Sequence, residues 1–482
     1  MSEVSVSRSL QNGVIWNSVN AISSQLFGFI IFLILVRELP PTLFGAVAVS
    51  AVMADFFANE GRSAGADAIL QEGLFDQKTL NASFFGLMVV AVPYAITMVA
   101  AAPLFAAWQE APVLVYFIPI FATLLLAGPW LSVMDALIMR DLDYKAFTQR
   151  NLLGTLVGGT AGIACTFSSF SLWALVIQRT VTLLTVLIFE YRRTGWRPSL
   201  ATRPGRPKRF HKRFFSLWAV AAMSLASPRA IVLIFGARYD GATVGLFRAA
   251  DRISESIQGP LLSPLFGLWL PLMSKVRGQL DKEREVYTSI ISTAAFVSLP
   301  AFTGLYLVAD DIVALLLPPT FAGVAPLIKA VSVVSLTIPV AWFNPIAFNA
   351  LNMNGTSLKY TAAAALCCVV TLVLLPPSVS PASAIILMSA PGFVVAIVGN
   401  VLLHKRLELD TWREYRNLLP AIVASGAMGF AVAMVHPHLQ GFSAGARLGL
   451  SVVVGCTAYA GWLTTFHRRW LGERVRLLSG RG

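Results

Sequence analysis

Leu80-Asn-Ala-Ser-Phe-Phe-Gly-Leu-Met-Val-Val-Ala-Val-Pro-Tyr-Ala-Ile-Thr-Met-Val-Ala-Ala-Ala102 is a run of twenty-three residues without a charge. As a helix it rises about 34 Å, enough to cross about 30 Å of hydrocarbon. Comparable runs recur from Gly13 to Phe466. Of the 482 residues 56% are hydrophobic and 13% charged, with a mean hydropathy of +0.70. A soluble chain carries about 25% charged residues to cover its surface. Composition therefore leaves an all-α polytopic membrane protein.

Outward from Leu80–Ala102, apolar runs predict earlier spans over Gly13–Val36 and Leu43–Asn59, and later ones over Val113–Ile138, Asn151–Phe167 and Leu172–Glu190. A second set covers Phe214–Phe235, Gly245–Met273, Val286–Val308, Ala325–Leu351, Tyr360–Pro376 and Ala382–Leu403, and Leu418–Val435 with Leu448–Phe466 closes the chain. The total is about fourteen, each of a length that can span. The first run is too long for a signal-peptide core, and no small-residue cleavage site follows it, so it reads as a retained helix.

The net charge of +13 sits mainly in short connections between apolar runs. With the N-terminus cytoplasmic, the inside connections hold Arg62, Lys78, Arg140, Lys145, Arg150, Lys275, Arg284, Lys405 and Arg413, among others. The connection from Arg192 to Arg213 alone has nine Lys or Arg residues. The opposite side has only Arg37, Arg238 and Arg447. That asymmetry is the positive-inside pattern, with both termini cytoplasmic, and not a nucleic-acid groove with interleaved aromatics. Cys165, Cys367, Cys368 and Cys456 lie inside apolar runs and suggest neither disulfide nor metal.

Pro198, Pro204, Gly205 and Pro207 make the basic connection a flexible one. It divides the chain into a first lobe (1–191), a linker (192–213), a second lobe (214–403) and a C-terminal part (404–482) with two helices and a basic tail. Arg37-Glu-Leu-Pro-Pro-Thr-Leu-Phe-Gly45 and Arg238-Tyr-Asp-Gly-Ala-Thr-Val-Gly245 echo each other, each with a cation, a turn, a threonine and a helix-opening glycine. External connections are too short for a catalytic domain. Walker A, GxSxG, HExxH and Rossmann patterns are absent, so ATP bound to this chain does not drive its cycle.

These residues resemble a family. Gly13-Val-Ile-Trp16 opens the first helix, and Arg37-x-Leu-x-Pro-x-x-Phe-Gly45 leads into the second. Glu60-Gly61 and Ala68-Ile-Leu-Gln71 follow it, with Ala136-Leu-Ile-x-Arg140-x-Leu-x-Tyr144-Lys145 and Trp173-Ala-Leu-Val176-x-Gln178 further on. Pro264, Leu270-Pro-Leu-Met-Ser274, Tyr287, Leu315-Leu-Leu-Pro318 and Phe321-x-x-x-Ala325-Pro326 continue the pattern. In order and spacing the chain resembles the polysaccharide-transporter (Wzx-type) branch of the multidrug/oligosaccharidyl-lipid/polysaccharide (MOP) flippase superfamily. Within that branch it is similar to exopolysaccharide exporters of the colanic acid or succinoglycan type. The resemblance implies two six-helix lobes in a V around a central cavity. It implies a transporter of the bacterial inner membrane, not an enzyme. The implied cargo is an oligosaccharide repeat unit on polyprenyl pyrophosphate, moved by alternating access, with membrane lipids and the polysaccharide polymerase and export machinery as partners. A cation-coupled multidrug exporter of the same superfamily is the alternative, and a membrane polymerase or glycosyltransferase a second.

Intramembrane polar and charged residues are costly and mark candidate sites. Asn17, Asn20 and Ser24, bordered by Gln25, form a stripe on the first helix, either a sugar-facing wall or polar glue between helices. Arg179, Arg229 and Arg252 are candidate cavity cations for pyrophosphate, with Arg248 nearer the interface. Their other reading is structural pairing or snorkelling. Asp55 and Asp135 are either carboxylates for a coupling ion (H+ or Na+) or partners for an arginine. Asp310-Asp311 reads as loop acids, and His436-Pro-His438 lacks the ligands of a metal site.

Overall fold

Proline and glycine set where helices begin, bend and end in the computed structural model of the protein. It describes residues 23–199 and 231–472 apart from a few single or paired positions, with Phe214, Phe215 and Trp218 between them. The described residues are helical, without strands. Two compact units emerge, Met1–Arg248 and Ala249–Gly482.

The first unit begins with α1 (23–38). It continues with α2 (Pro41–Ala58), α3 (Glu60–Glu72), α4 (Gln77–Trp108), α5 (Leu114–Leu125), α6 (Gly128–Arg140), α7 (Tyr144–Thr166) and α8 (Ala174–Thr194). After α9 (231–238), α10 (Gly241–Val276) leads into the second unit. There follow α11 (Leu280–Leu307), α12 (Ala309–Leu316), α13 (Val324–Ser335), α14 (Ile338–Ala341) and α15 (Asn344–Ala350). The chain closes with α16 (Asn354–Leu374), α17 (Pro381–Arg406), α18 (Thr411–Val435) and α19 (Ala444–Phe466).

Among the described residues eight helices are long and apolar enough to cross a membrane, or nine if the pair Val324–Ser335 and Ile338–Ala350, bent by 43°, is one span. The segment Leu114–Arg140 counts as one span although it breaks between α5 and α6. Apolar side chains such as Val89, Ile96 and Leu104 of α4 are exposed, as a lipid-facing surface requires. The residues from Glu60 to Glu72, read from sequence as a connection, form α3 and pack on α6.

The echo between Arg37–Gly45 and Arg238–Gly245 has a structural counterpart. The Leu39 N–H donates to the Leu35 carbonyl at 3.0 Å, and the Tyr239 N–H to the Phe235 carbonyl at 2.8 Å. A helix then starts at Pro41 and, at the matching position, at Gly241. Within the first unit these two helix starts cross reciprocally. A Cβ on Gly45 would overlap the Gly241 carbonyl oxygen, and one on Gly245 the Pro41 carbonyl oxygen. The matching extends inward. Pro129 opens α6 after the break that ends α5, and Pro339, at the same spacing from its own break, follows α13. Proline supplies no N–H to the preceding turn, which is why both helices break there.

α7 and α8 form the closest pair of the first unit. Gly154, Gly158 and Gly162 lie four apart on one face of α7 and let its backbone approach α8. A Cβ on Gly158 would stand 2.7 Å from the Gln178 carbonyl oxygen and 2.9 Å from the Thr182 nitrogen, both backbone atoms that cannot swing away. Gly158→Val therefore lowers stability by about 1–3 kcal/mol, read as a lower thermal unfolding midpoint in detergent. Gly304→Ala, where a Cβ meets nothing within 4 Å, leaves that midpoint unchanged or slightly raised.

Candidate functional site

Four helices of the first unit bring charges to one buried point. α3 carries Arg62 two residues after its start, and Gly65 lets α3 lie on α6, where a Cβ would stand 2.8 Å from the Ser132 hydroxyl. That hydroxyl lies 3.0 Å from the carbonyl oxygens of both Arg62 and Gly128. α6, restarted at Pro129, presents Asp135. α7 is capped by Asp143, which accepts from the Ala146 N–H at 3.0 Å, and Arg150 follows two turns later. α8 supplies Glu190 one turn before it closes at Gly195, whose φ of +64° suits glycine.

The Arg62 Nε donates to Asp135 Oδ2 at 2.5 Å, and its Nη2 to Glu190 Oε1 at 2.9 Å. The Arg150 Nη1 donates to both Asp135 Oδ1 and Glu190 Oε1. Its guanidinium carbon lies 3.7 Å from the centroid of the Phe147 ring, one turn earlier on α7. Side-chain exposure is 17% for Arg62, 4% for Arg150, 5% for Asp135 and 0% for Glu190. Two cations and two anions balance, which is what permits their burial. One valence is left over. Glu190 Oε2 is buried without a hydrogen-bond partner among the described residues.

Around the network, Asp67 of α3 is exposed, and its carboxyl is pushed up by partial burial and by the Asp135 charge. Asp143 is held below the ordinary carboxylate range. Burial opposes this, but the Ala146 N–H and Arg193, 2.6 Å away, favour the charged form. An open groove of about 560 Å³ runs between α7 and α8, with Lys145, Arg192 and Arg193 beside Leu153 and Ile188. Cations next to an apolar wall suit the headgroup of an anionic lipid.

The second unit ties the matching junction with neutral groups, while Glu414 lines the adjoining space beside Tyr287, Asn400 and His404. The spacing that relates Pro129 to Pro339 relates Arg150 to Tyr360 and Glu190 to Asn400, and places Asn344 beside the counterpart of Asp135. The Asn344 Nδ2 donates to the Ala396 carbonyl at 3.0 Å and lies 3.5 Å from the Tyr360 hydroxyl. The Tyr360 hydroxyl donates to the Ala341 carbonyl at 3.0 Å, and Asn400 Nδ2 to the Val340 carbonyl at 3.1 Å. Tyr287, His404 and Thr411 extend this neutral chain, with His404 3.3 Å from the Tyr287 hydroxyl and 3.1 Å from that of Thr411.

The sequence-predicted residues scatter. Asp135 belongs to the network, whose other members, Arg62, Arg150 and Glu190, sequence reasoning had placed at the ends of spans or in connections. Arg179 is exposed on α8, 5.5 Å from the centroid of the Phe121 ring. Arg252 is half-buried in the second unit, 3.6 Å from Glu255. Arg248 is half-buried on α10 at the end of the first unit, and Ser24 and Gln25 are half-buried on α1. Asn17, Asn20 and Arg229 lie outside the described residues, as does the side chain of Asp55. Asp311 is no loop acid. It is 2% exposed and accepts from the Arg447 Nε at 2.7 Å, with the His436 Nε2 also at 2.7 Å, tying α12 to α19 and the turn before it. Asp310 is exposed and pairs with Lys329 at 2.6 Å.

Residues 34–326 match the family described as "Polysaccharide biosynthesis protein". The chain is 21% identical over 324 residues to a succinoglycan biosynthesis transport protein, ExoT, of Rhizobium meliloti (strain 1021), covering 67% of this chain and 65% of that one, just under two thirds of its length. It is also 21% identical over 344 residues to an uncharacterized membrane protein in the cps region of Klebsiella pneumoniae, 69% of this chain and 68% of that one. Among solved structures, an inward closed conformation of the lipid II flippase MurJ aligns with a TM-score of 0.77 at 13% identity, over 94% of this chain and 99% of that one. An inward-facing multidrug resistance MATE family transporter of the MOP superfamily aligns with a TM-score of 0.63 at 15% identity, over 81% and 98% of the two chains. The fold is shared with both.

Removing one member of the network strands the opposite charges. Arg150→Met lowers stability by about 3–5 kcal/mol, seen as a fall in the thermal unfolding midpoint in detergent. The quadruple variant Arg62→Met/Asp135→Asn/Arg150→Tyr/Glu190→Asn, which removes all four charges and leaves none of them stranded, recovers most of that loss in the same measurement.

Proposed function

The chain belongs to the polysaccharide biosynthesis protein family, and from that we propose that it is a flippase for lipid-linked sugar precursors of a secreted or surface polysaccharide. It is a multi-pass protein of the bacterial inner membrane. The observation that carries the reading is the conjunction of two independent likenesses. The sequence relative named for succinoglycan transport ties the family to polysaccharide export. The fold along nearly the whole chain is that of a lipid II flippase, whose named cargo is a lipid.

In this reading the cargo is an oligosaccharide repeat unit on undecaprenyl pyrophosphate. About fourteen helices form two six-helix lobes in a V, with two further helices at the C-terminal end, and the cargo moves by alternating access. Arg179, Arg229 and Arg252, with Arg248 toward the interface, supply cations to the pyrophosphate, because charge-assisted pairs to phosphate oxygens are the strong ones in a dry cavity. Asn17, Asn20, Ser24 and Gln25 supply hydrogen bonds to sugar hydroxyls. The lipid tail stays in the bilayer. An ion gradient supplies direction, with Asp55 and the buried network that contains Asp135 as the candidate sites for H+ or Na+, Asp135 itself being held by Arg62 and Arg150. The MATE-like fold favours a second reading, export of hydrophobic cations. The arginines among the candidate residues weigh against it, since a cationic cargo calls for carboxylates.

Deleting the gene abolishes secreted polymer and leaves intact repeat units accumulated on their lipid carrier, measured by mass spectrometry of extracted lipids. A plasmid copy restores polymer, and Arg252→Ala at equal expression restores about a tenth of it or less, as losing one charged hydrogen bond implies. Normal polymer after deletion contradicts the flippase reading and favours drug export. Truncated repeat units point to an enzyme of assembly.

A further inference from the structure

The second unit shows what the fold needs at the junction of its broken helix with the two helices that follow. Asn344, Tyr360 and Asn400 hold it with neutral hydrogen bonds to carbonyls of Ala396, Ala341 and Val340, and there the unpartnered buried oxygen, Asn344 Oδ1, belongs to an amide that takes up no proton. The first unit makes the matching junction with four charges, three of them on side chains no more than 5% exposed. Replacing a buried ion network by well-packed neutral groups of similar volume is often neutral or stabilising. The packing of α6, α7 and α8 therefore does not by itself require the four charges.

The unshared oxygen points to the ligand. Asp135 uses both oxygens, one on Arg62 and one on Arg150. Glu190 places both arginines on Oε1 and leaves Oε2 buried and unpartnered among the described residues. A fully desolvated carboxylate oxygen lacking a donor is incomplete, and the smallest species that completes it is a proton. We propose that Glu190 is a proton-binding site of the transport cycle, taking up one proton on Oε2 from the solvent side marked by Arg62. This deepens the flippase reading and rests on it for the word transport, but proton binding itself does not.

The step balances simply. A solvent proton joins the Glu190 carboxylate, and no other bond changes. Before it, Arg62 and Arg150 face Asp135 and Glu190 with a net charge of zero. After it, the same groups carry one positive charge, and Arg62, the most exposed member, loses its anionic partner on α8 while keeping Asp135 on α6. Proton uptake thereby loosens α3 from α8. The further charge acting on this network is Asp67 of α3, which feels Asp135; Lys145, Asp143, Arg192 and Arg193 line the separate groove between α7 and α8, where Arg193 is bound to Asp143.

Infrared difference spectroscopy of the purified full-length protein in nanodiscs reads the site directly. Lowering the pH from about 9 to about 5 brings up a protonated buried-carboxyl band in the wild-type protein. Glu190→Gln removes that band, Glu190→Asp shifts its frequency, and Asp135→Asn retains it. A wild-type protein with no such band, or a band that survives in Glu190→Gln, overturns the proposal whether or not any variant folds poorly. Glu190→Gln at wild-type abundance also reduces polysaccharide secretion at least about tenfold, and undiminished secretion overturns its place in the cycle. Should the chain not move polysaccharide precursors at all, gene deletion leaves polymer normal while the Glu190 band still titrates, so the two failures are told apart.

Discussion

One guanidinium holds two carboxylates at a place almost without water. Arg150 contacts Asp135 and Glu190 through the same nitrogen, and Arg62 closes the set from the opposite side. The interaction joins α3, α6, α7 and α8, none of which could bury its own charge alone. It is only as strong as its completeness, because each charge is tolerable while the other three are present. The glycines of α7 and Gly65 of α3 serve this end, since without close backbone approach the side chains would not reach one another. Stability and sensitivity to a single proton therefore come from the same arrangement.

The two units solve the same geometric problem with different chemistry. Both contain a helix broken ahead of a proline, followed by a helix pair that must be tied back to the restarted segment. Neutral amides and a phenol suffice in the second unit, while the first keeps ions. The shared pattern of a break, a proline and a following helix pair acts here as a built-in control. What the halves share reports the demands of the fold, and what differs reports something else.

Most of the helical plan was legible in the sequence, because length and lack of charge are what a bilayer selects. Boundaries drifted where helices run past the apolar region. α11 begins at Leu280 although its first apolar run starts at Val286, since Asp281 to Glu285 are helical but polar. α3 was missed for the same reason. The network was hidden by distance along the chain. Arg62 and Arg150 stand at the edges of apolar runs and looked like markers of topology, and Glu190 looked like the end of a span. Only folding shows that residues separated by more than a hundred positions share one point. Asp135 was visible as a costly residue, but its partners were not, and Asp311 likewise found Arg447 far downstream. The echo of the external turns could be read locally because both of its copies are continuous in sequence.

The central claim is that this chain itself carries lipid-linked sugar across the bilayer. The most direct test reconstitutes the purified protein into vesicles that hold a lipid-linked oligosaccharide in both leaflets, with a membrane-impermeant glycosidase outside. The account predicts that cleavage passes beyond the outer-leaflet half and goes on toward completion, while protein-free vesicles stop there. Cleavage that halts at the outer leaflet with the protein present would contradict it.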